Sequence, residues 1–439
     1  MKIPNSKFPA RLASQREAGR QIPNCRAGQS LIEILIALAI GAILIGAAAL
    51  GIAFMLRATS TNQNLQSASG LIRETIEKLR AWSSADWQNV YGLTKGTSTK
   101  YFLSASGTVF QVIQGEEGVV ENEVRTNLVG RWGLDESTGT IAYDMSGNGV
   151  NGTLGGTWTR ATGTICAVGG CLVLNGASTN IALGTSTGLN ITGNLSIVAW
   201  VKTTSTAAQG LVGKGPPSGS SGYLSYIWSS GVADFYSSGG GGHVQSVRTV
   251  NDGSWHLIAI VLSGTNLSFY VDGAFDVTRT SAAPLSTTNT GVIGRESDSS
   301  GSYFNGLLDD VRVYNRALSA AEIQRLYQSR KFTRYFSIEN TCRSATASST
   351  IDTSPCDSGF FEDPSTQKVT AAVNWVTTQT IAELKLTEFL TRWKNEVFRQ
   401  ADWSGGAGQE GPISEPNNRF ASSTGVDISS SGLIKIQGL

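Results

Sequence analysis

The order of apolar and polar positions divides the chain into a long N-terminal helix and a larger strand-rich region. From Ile34 to Leu56, 23 successive residues include no charged residue, Asn, Gln or Pro, which is enough helix to cross the hydrocarbon core of a bilayer. Apolar residues then recur every three or four positions to about Trp82, which predicts that the helix continues with one apolar side. These positions are Leu65, Ala68, Leu71, Ile72, Ile76 and Leu79.

Strand-like alternation follows this helix and is interrupted by a region of different composition. Residues 101–103 and 108–113 alternate, and the pattern returns at 332–338 and 368–375. Residues 127–327 are instead rich in Gly, Thr and Ser, with regularly spaced strands and turns. Because a pair of strands is too small for a stable sheet, we expect segments 83–126 and 331–400 to form one discontinuous head. Residues 127–330 would be inserted into it, and residues 401–439 would form a Gly/Ser-rich tail. The alternative is three domains in series, with residues 331–439 as a separate small domain.

Charge around the apolar run sets its expected orientation. Six basic residues precede the run, against the single acid Glu17: Lys2, Lys7, Arg11, Arg16, Arg20 and Arg26. This excess predicts a cytoplasmic N-terminus and an extracytoplasmic chain after Leu56. Glu33 lies at the start of the run, where an ionisable group is costly unless it has a partner.

The stretch GQSLIEILIALAIGAILIG, from Gly28 onward, resembles the N-terminus of type IV prepilins and type II secretion pseudopilins. The sequence of this stretch is closest to those of minor pilins and of I- or V-type pseudopilins. The resemblance implies that a prepilin peptidase removes leader residues 1–28, cutting after Gly28, and that the new first residue, Gln29, is methylated. It also implies a pilin helix over 29–82, with 29–56 in the membrane, and a small antiparallel sheet packed on it.

Glu33 would be the fifth residue of the mature chain. A free N-terminal amine and this carboxylate can neutralise each other between neighbouring subunits in an apolar bundle. Removing one partner would leave a buried charge, at a cost of about 3–5 kcal/mol. The alternatives are an ordinary signal anchor, or a secretory signal peptide with a chance glutamate. A secretory peptide would have a shorter apolar core, followed by a small-residue cleavage site.

The inserted region contains the patterns of an antiparallel sandwich. Residues 257–262 form a continuous apolar strand, and residues 268–271 lead into an Asp272-Gly273 hairpin turn. Residues 320–327 have helical spacing, with Ser319 as N-cap and Glu322 completing a capping box. The blocks LVGRWGLDE, DMSGNGVNGTL, SIVAWVK, DGSWHL, FYVDG and GLLDDVRVYNRALS resemble a laminin-G-like, concanavalin A-like jelly roll. The expected fold class is therefore an α+β pilin with an inserted all-β concanavalin A-like sandwich.

Catalysis is not expected, and we predict no catalytic residue. Glycan-cleaving relatives of this fold need paired carboxylates in an E-x-D-x-x-E arrangement, which the sequence lacks. The chain has two histidines, His243 and His256, and neither accompanies a recognisable Ser or Cys nucleophile motif.

A calcium site is a hypothesis that the resemblance suggests. Asp310 matches a closing-strand position from which sandwich relatives bind one ion, and Asp135 or Asp144 could contribute from the opening of the domain. Such oxygen ligands suit Ca²⁺. The alternative for Asp144 and the residues after it is a turn held by backbone hydrogen bonds.

Four aromatic residues lie close together in a Gly/Ser-rich stretch: Tyr223, Tyr226, Trp228 and Tyr236. Flat rings can stack on sugars, so these residues are candidates for a glycan-binding face. The alternative is that they belong to core and rim strands.

The cysteines are expected to form two disulfides. Cys25 leaves with the leader, and the remaining four fall into two local pairs in an exported region, where disulfides persist. We predict Cys166–Cys171 and Cys342–Cys356; the alternative is four free thiols. The spacings and the two histidines do not make a tetrahedral zinc set.

Net charge is +1, and no basic stripe follows the leader, so nucleic-acid binding is not expected. Together these features predict a membrane-anchored minor pilin in a surface or periplasmic filament, displaying a lectin-like domain for adhesion to a glycan or surface protein. The alternatives are a type II secretion pseudopilin that contacts cargo and a membrane-anchored polysaccharide-acting protein.

Overall fold

The computed structural model describes residues 31–106, 109–215, 221–240, 242–297, 301–329, 331–344, 351–353, 356, 360–376, 380–392, 426–430 and 433–436. The chain divides into two compact units, Met1–Asn62 and Gln63–Leu439. Three α-helices are present in the described part: α1 (Leu31–Ala85), α2 (Gln88–Tyr91) and α3 (Ala320–Gln328).

The strands of the described part pair with their neighbours in antiparallel fashion. In chain order they are β1 (Gly96–Ser106), β2 (Val109–Gln114), β3 (Glu117–Val120), β4 (Leu128–Trp132), β5 (Ile141–Ala142), β6 (Gly152–Gly155), β7 (Thr159–Thr162), β8 (Gly170–Asn175), β9 (Asn180–Gly184), β10 (Leu195–Lys202), β11 (Gln209–Lys214), β12 (Tyr223–Ile227), β13 (Val232–Ser237), β14 (Gly242–Thr249), β15 (His256–Ser263), β16 (Asn266–Val271), β17 (Ala274–Thr280), β18 (Gly291–Ile293), β19 (Asn305–Tyr314), β20 (Lys331–Ser344), β21 (Ile351–Thr353), β22 (Phe360–Val376), β23 (Ile381–Thr391), β24 (Val426–Ser430) and β25 (Leu433–Ile436).

The first unit contains the apolar part of α1. Its large apolar side chains are exposed; Ile43, Leu50 and Phe54, for example, are each at least 70% exposed. By length and composition α1 is sufficient to cross a membrane, and no second helix of the described residues meets that test.

The second unit includes the later turns of α1, which pack on a seven-stranded sheet. Ala68, Ile72, Ile76 and Leu79 are buried in one cluster with side chains of the sheet, at the spacing that the sequence predicts. The sheet order is β2-β1-β20-β22-β23, with β3 and β21 also paired to β20. Strands from before residue 127 and after residue 330 therefore share one sheet, and β20 is its centre.

Residues between these two sets of strands fold into a β-sandwich. One eight-stranded sheet has the order β17-β16-β15-β10-β19-β8-β7, with β4 on β19. The other has the order β14-β13-β12-β11-β18-β9-β6-β5. The apolar side chains of alternate positions meet between the sheets in one core, as expected from a period of two. At the hairpin joining β16 to β17, Asp272 and Gly273 both have positive φ, 55° and 76°, which matches the tight turn predicted there.

Helix α3 packs on the outer face of the sheet that contains β10 and β15. Ser319 accepts a hydrogen bond from the Glu322 N–H, and the Glu322 carboxylate accepts one from the Ser319 N–H at 2.9 Å. This confirms the predicted capping box. Ile323 and Leu326 bury the inner side of the helix.

A buried polar joint connects the sandwich to the seven-stranded sheet. Gly118 of β3 donates its N–H to Asp135 Oδ2 at 2.9 Å, and its carbonyl accepts a hydrogen bond from Arg131 Nη2 at 2.9 Å. Tyr314 donates its hydroxyl to the Val124 carbonyl at 3.0 Å. Lys331 Nζ, at the first residue of β20, lies 3.5 Å from the centre of the Trp200 ring. These contacts hold the sandwich against β3, the segment after it and the start of β20.

The C-terminal part is described only at β24 and β25, which pair with each other. The tail segment 401–425 lies outside the described residues.

Candidate functional site

Strands β12, β13 and β14 form one end of their sheet, and alternation decides which of their side chains reach its outer face. Tyr223 and Ile227 of β12 belong to the core between the sheets, as does Phe235 of β13. The intervening positions point the other way. Tyr226 therefore lies on the outer face, opposite Asp234 in the strand register, and Tyr236 lies opposite His243.

Tyr223 does not belong to this outer face. Its side chain is 1% exposed, and its hydroxyl donates a hydrogen bond to the Leu189 carbonyl at 3.1 Å. Burial raises the pKa of Tyr223 well above its usual value. The prediction that Tyr223 contacts a ligand is corrected: it is three positions from Tyr226 in one strand, so the two rings occupy opposite sides of the sheet.

The other three predicted aromatic residues gather around the imidazole of His243. Ring centroids of Trp228, Tyr236 and Tyr226 lie 5.0, 5.2 and 5.7 Å from that of His243. Tyr226 and Trp228 also meet edge to face at 6.3 Å. Tyr226 is buried, Trp228 and Tyr236 are half-buried, and His243 is exposed. We call Tyr226, Trp228, Tyr236 and His243 the aromatic face.

A buried carboxylate, that of Asp234, lies within hydrogen-bond distance of the His243 imidazole. Asp234 Oδ1 lies 2.7 Å from His243 Nδ1, and the Asp234 side chain is fully buried. Burial raises the pKa of Asp234, and the hydrogen bonds with His243 and Gln245 only partly offset that effect. Sequence reasoning missed His243 and Asp234. Asp234 is two positions before Tyr236 on β13, so alternation puts it on this face, whereas the place of His243 depends on the register between β13 and β14.

Internal donors already hydrogen-bond the three proposed calcium ligands, of which Asp310 and Asp135 lie at the joint. Asp310 Oδ1 accepts a hydrogen bond from Arg131 Nε at 2.8 Å, and Oδ2 accepts one from Arg312 Nη2 at 2.7 Å. Asp135 accepts N–H bonds from Gly118 and Gly170. Asp144 accepts N–H bonds from Arg131, Ser146 and Val150, in the turn that was the alternative interpretation.

These surroundings do not fit a divalent cation. Burial acts to raise the pKa of Asp310, but Arg312 and Arg131 outweigh it and hold that pKa well below its usual value. A calcium ion there would face both guanidinium groups. Burial raises the pKa of Asp135 above its usual value, and its two carboxyl oxygens already accept the N–H groups of Gly118 and Gly170. Among the residues that the structure describes, no group of three His, Cys, Asp or Glu side chains could hold a metal ion.

The structure contains the disulfides Cys166–Cys171 and Cys342–Cys356, the pairs that the sequence predicts. Gly28 and Gln29 lie outside the described residues, and Glu33 lies within α1 but its side chain is not described.

A cleft of about 470 Å³ opens where the chain enters and leaves the sandwich. Exposed amides and hydroxyls line it, from Asn127, Asn148, Asn315, Ser186 and Thr187. The Asn315 N–H donates to the Asn127 carbonyl at 3.0 Å, which holds the two ends of the domain together.

Comparison with known families matches two segments of the chain. Residues 23–49 match the prokaryotic N-terminal methylation motif, and residues 175–324 match the concanavalin A-like lectin/glucanases superfamily. The chain carries a type IV pilin signal and a concanavalin A-like domain. Together with the apolar helix, they support a membrane-anchored protein that faces the extracytoplasmic side. No curated protein matches.

Solved structures of similar fold include domain 4 of AbnA, an extracellular arabinanase from Geobacillus stearothermophilus in complex with arabinotriose. It is 23% identical with a TM-score of 0.38, over 46% of this chain and 98% of that one. The binding domain of Paraclostridial mosquitocidal protein 1 is 12% identical with a TM-score of 0.40, over 61% of this chain and 76% of that one. Trypanosoma rangeli sialidase is 15% identical with a TM-score of 0.36, over 46% of this chain and 32% of that one.

Proposed function

We propose that this pilin-like protein is a minor subunit of a type IV filament, and that its lectin-like domain binds a glycan outside the cell for adhesion. The methylation motif and the apolar helix support a membrane-anchored precursor. The concanavalin A-like domain supports a binding role. The pilin partners, the prepilin peptidase and the adhesive role belong to this proposal.

The observation that carries the binding role is the aromatic face. Trp228 and Tyr236 are half-buried, so one side of each ring is held by protein while the other can meet a ligand. Aromatic rings give a large apolar contact area with little conformational entropy to lose. A sugar ring presents C–H groups on its flat side and hydroxyls at its edge. The rings of the aromatic face can contact the C–H groups, and His243 can hydrogen-bond the hydroxyls.

We also propose that residues 127–330 are a domain inserted into a pilin head formed by residues 83–126 and 331–400. Pairing of β1 and β3 with β20 supports one head rather than three domains in series. The buried joint between Gly118, Arg131 and Asp135 supports a fixed orientation of the sandwich on that head. A force on a bound glycan would then reach the sheet and helix through ordered contacts.

Glycan binding by the full chain in detergent micelles tests the binding role. The wild-type protein should bind some of the saccharides on an oligosaccharide array. Trp228→Ala should weaken that binding at least tenfold, as substitution of a central aromatic residue of an interface does. Phe275→Ala is a matched control, because Phe275 is an exposed aromatic residue, 59% exposed, on β17 of the other sheet. Absence of binding to every saccharide, or equal loss in both variants, would contradict the proposal.

A further inference from the structure

We infer that His243 is the polar recognition residue of the aromatic face, that its Nε2 hydrogen-bonds a ligand hydroxyl, and that the ligand class is uncharged saccharides. This inference rests on the proposed function and adds the recognising atom and the class of sugar. No sequence motif or family match assigns a role to His243.

The imidazole of His243 lies among the three rings of the aromatic face. His243 is the residue that all three aromatic rings of the face approach within 6 Å. Its side chain is 37% exposed, so solvent reaches it. A sugar stacked on Trp228 or Tyr236 would therefore have its hydroxyl edge next to the imidazole.

The carboxylate of Asp234 determines which imidazole nitrogen is available to the ligand. A carboxylate 2.7 Å from Nδ1 accepts a hydrogen bond from Nδ1–H, which places the proton of the neutral ring on Nδ1. Nε2 is then an acceptor, and among the described residues it has no hydrogen-bond partner of its own. Asp234 is thus a positioning residue for His243.

The net charge of the Asp234–His243 pair favours uncharged sugars over acidic ones. With Asp234 ionised, the pair has a net charge of −1 when the imidazole is neutral and zero when it is protonated. Neither state attracts an anion, so acidic sugars gain nothing from the pair. A hydroxyl can donate to neutral Nε2 or accept from protonated Nε2, so an uncharged sugar fits both states.

Binding measurements separate this inference from the proposed function. The probes are cello-, manno-, galacto- and arabino-oligosaccharides as uncharged sugars, and oligogalacturonate and sialyllactose as acidic ones. We expect the full chain to bind an uncharged probe, His243→Ala to weaken that binding about tenfold, and His243→Gln to weaken it less. His256→Gln is the control, because His256 lies on β15 of the other sheet and should keep the wild-type affinity.

Nitrogen NMR of the 15N-histidine-labelled chain provides a readout that a structural role would not change. The chain has two histidines, so His243→Gln assigns both rings. We expect neutral His243 to carry its proton on Nδ1, the bound sugar to shift Nε2, and Asp234→Asn to mix the two tautomers. Preference for the acidic probes, a proton on Nε2, or sugar binding that depends on Trp228 but not on His243 would overturn this inference alone. Failure of every saccharide to bind would overturn the proposed function with it.

Discussion

Arg131 Nε donates a hydrogen bond of 2.8 Å to Asp310 Oδ1, across 179 residues of sequence. The first residue lies on the opening strand of the sandwich and the second on its closing strand. Asp310 has a φ of 43°, in the left-handed region that residues other than glycine rarely adopt. It lies where the register of β19 against β10 shifts. The backbone thus turns this carboxylate towards both guanidinium groups.

Asp310→Asn should therefore be strongly destabilising. The variant removes the carboxylate that hydrogen-bonds both buried guanidinium groups and leaves Arg131 and Arg312, among the described residues, with Glu123 alone as an ion-pair partner, at 3.3 and 3.6 Å. Breaking a buried ion pair in this way costs about 3–5 kcal/mol of unfolding free energy. Denaturant unfolding of the full chain measures it. Glu77→Gln is the matched control, because Glu77 pairs with Arg80 at a similar 2.7 Å but is 68% exposed, and it should change stability little. Equal effects of the two substitutions would contradict this account of the joint.

Lys331 should make stability depend on pH in the alkaline range. Burial lowers the pKa of Lys331 to about 8, and Asp309, Asp310 and Asp272 only partly oppose that. Between pH 8 and 10.5 the unfolded chain binds more protons at this residue than the folded chain, so stability rises with pH. The unfolding free energy of the wild type relative to Lys331→Met should increase across this window by up to about 3 kcal/mol. A difference that is constant with pH would contradict the assignment.

The two disulfides should contribute unequally. Their cysteines are separated by 14 residues in Cys342–Cys356 and by 5 in Cys166–Cys171. In the chain-entropy model, losing the longer loop costs about 3 kcal/mol and losing the shorter about 2 kcal/mol. Paired Cys→Ser variants measured by denaturant unfolding provide the comparison. A larger loss for the shorter loop would contradict this order.

Chelation should leave the protein unchanged. Asp310, Asp135 and Asp144 already accept hydrogen bonds from internal donors, so removing divalent ions takes no ligand from them. Thermal unfolding and saccharide binding should be the same in EDTA and in millimolar calcium. A melting temperature that falls in EDTA and recovers with calcium would restore the calcium hypothesis.

Local pattern predicted much of this fold, and distant partners account for what it missed. The apolar side of α1, the capping box at Ser319 and the turn at Asp272 depend on neighbours within a few residues, so the sequence reveals them. A strand's period of two shows that Tyr223 and Tyr226 face opposite ways but not which one faces the core. That choice depends on distant parts of the fold, among them the 3-10 turn Thr187–Leu189, whose Leu189 carbonyl accepts the Tyr223 hydroxyl.

The calcium hypothesis shows the same limit, because it depends on partners that are distant in sequence. The sequence shows Asp310 as a conspicuous acid beside Asp309, but not that folding brings Arg131 to it. Alternation along β13 puts Asp234 on the same face as Tyr236, but His243 reaches that face through the register of β14, which the sequence does not show. Their partnership is local to two neighbouring strands.

The central claim is that this chain is a processed filament subunit, and its N-terminus tests that claim most directly. Mass spectrometry of the chain recovered from sheared surface filaments should find Gln29 as the first residue, because a prepilin peptidase would cut after Gly28. Gln29 should carry an added methyl group. A chain that begins at Met1 or at any residue other than Gln29, or that is absent from the filament fraction while present in the membrane, would contradict the account.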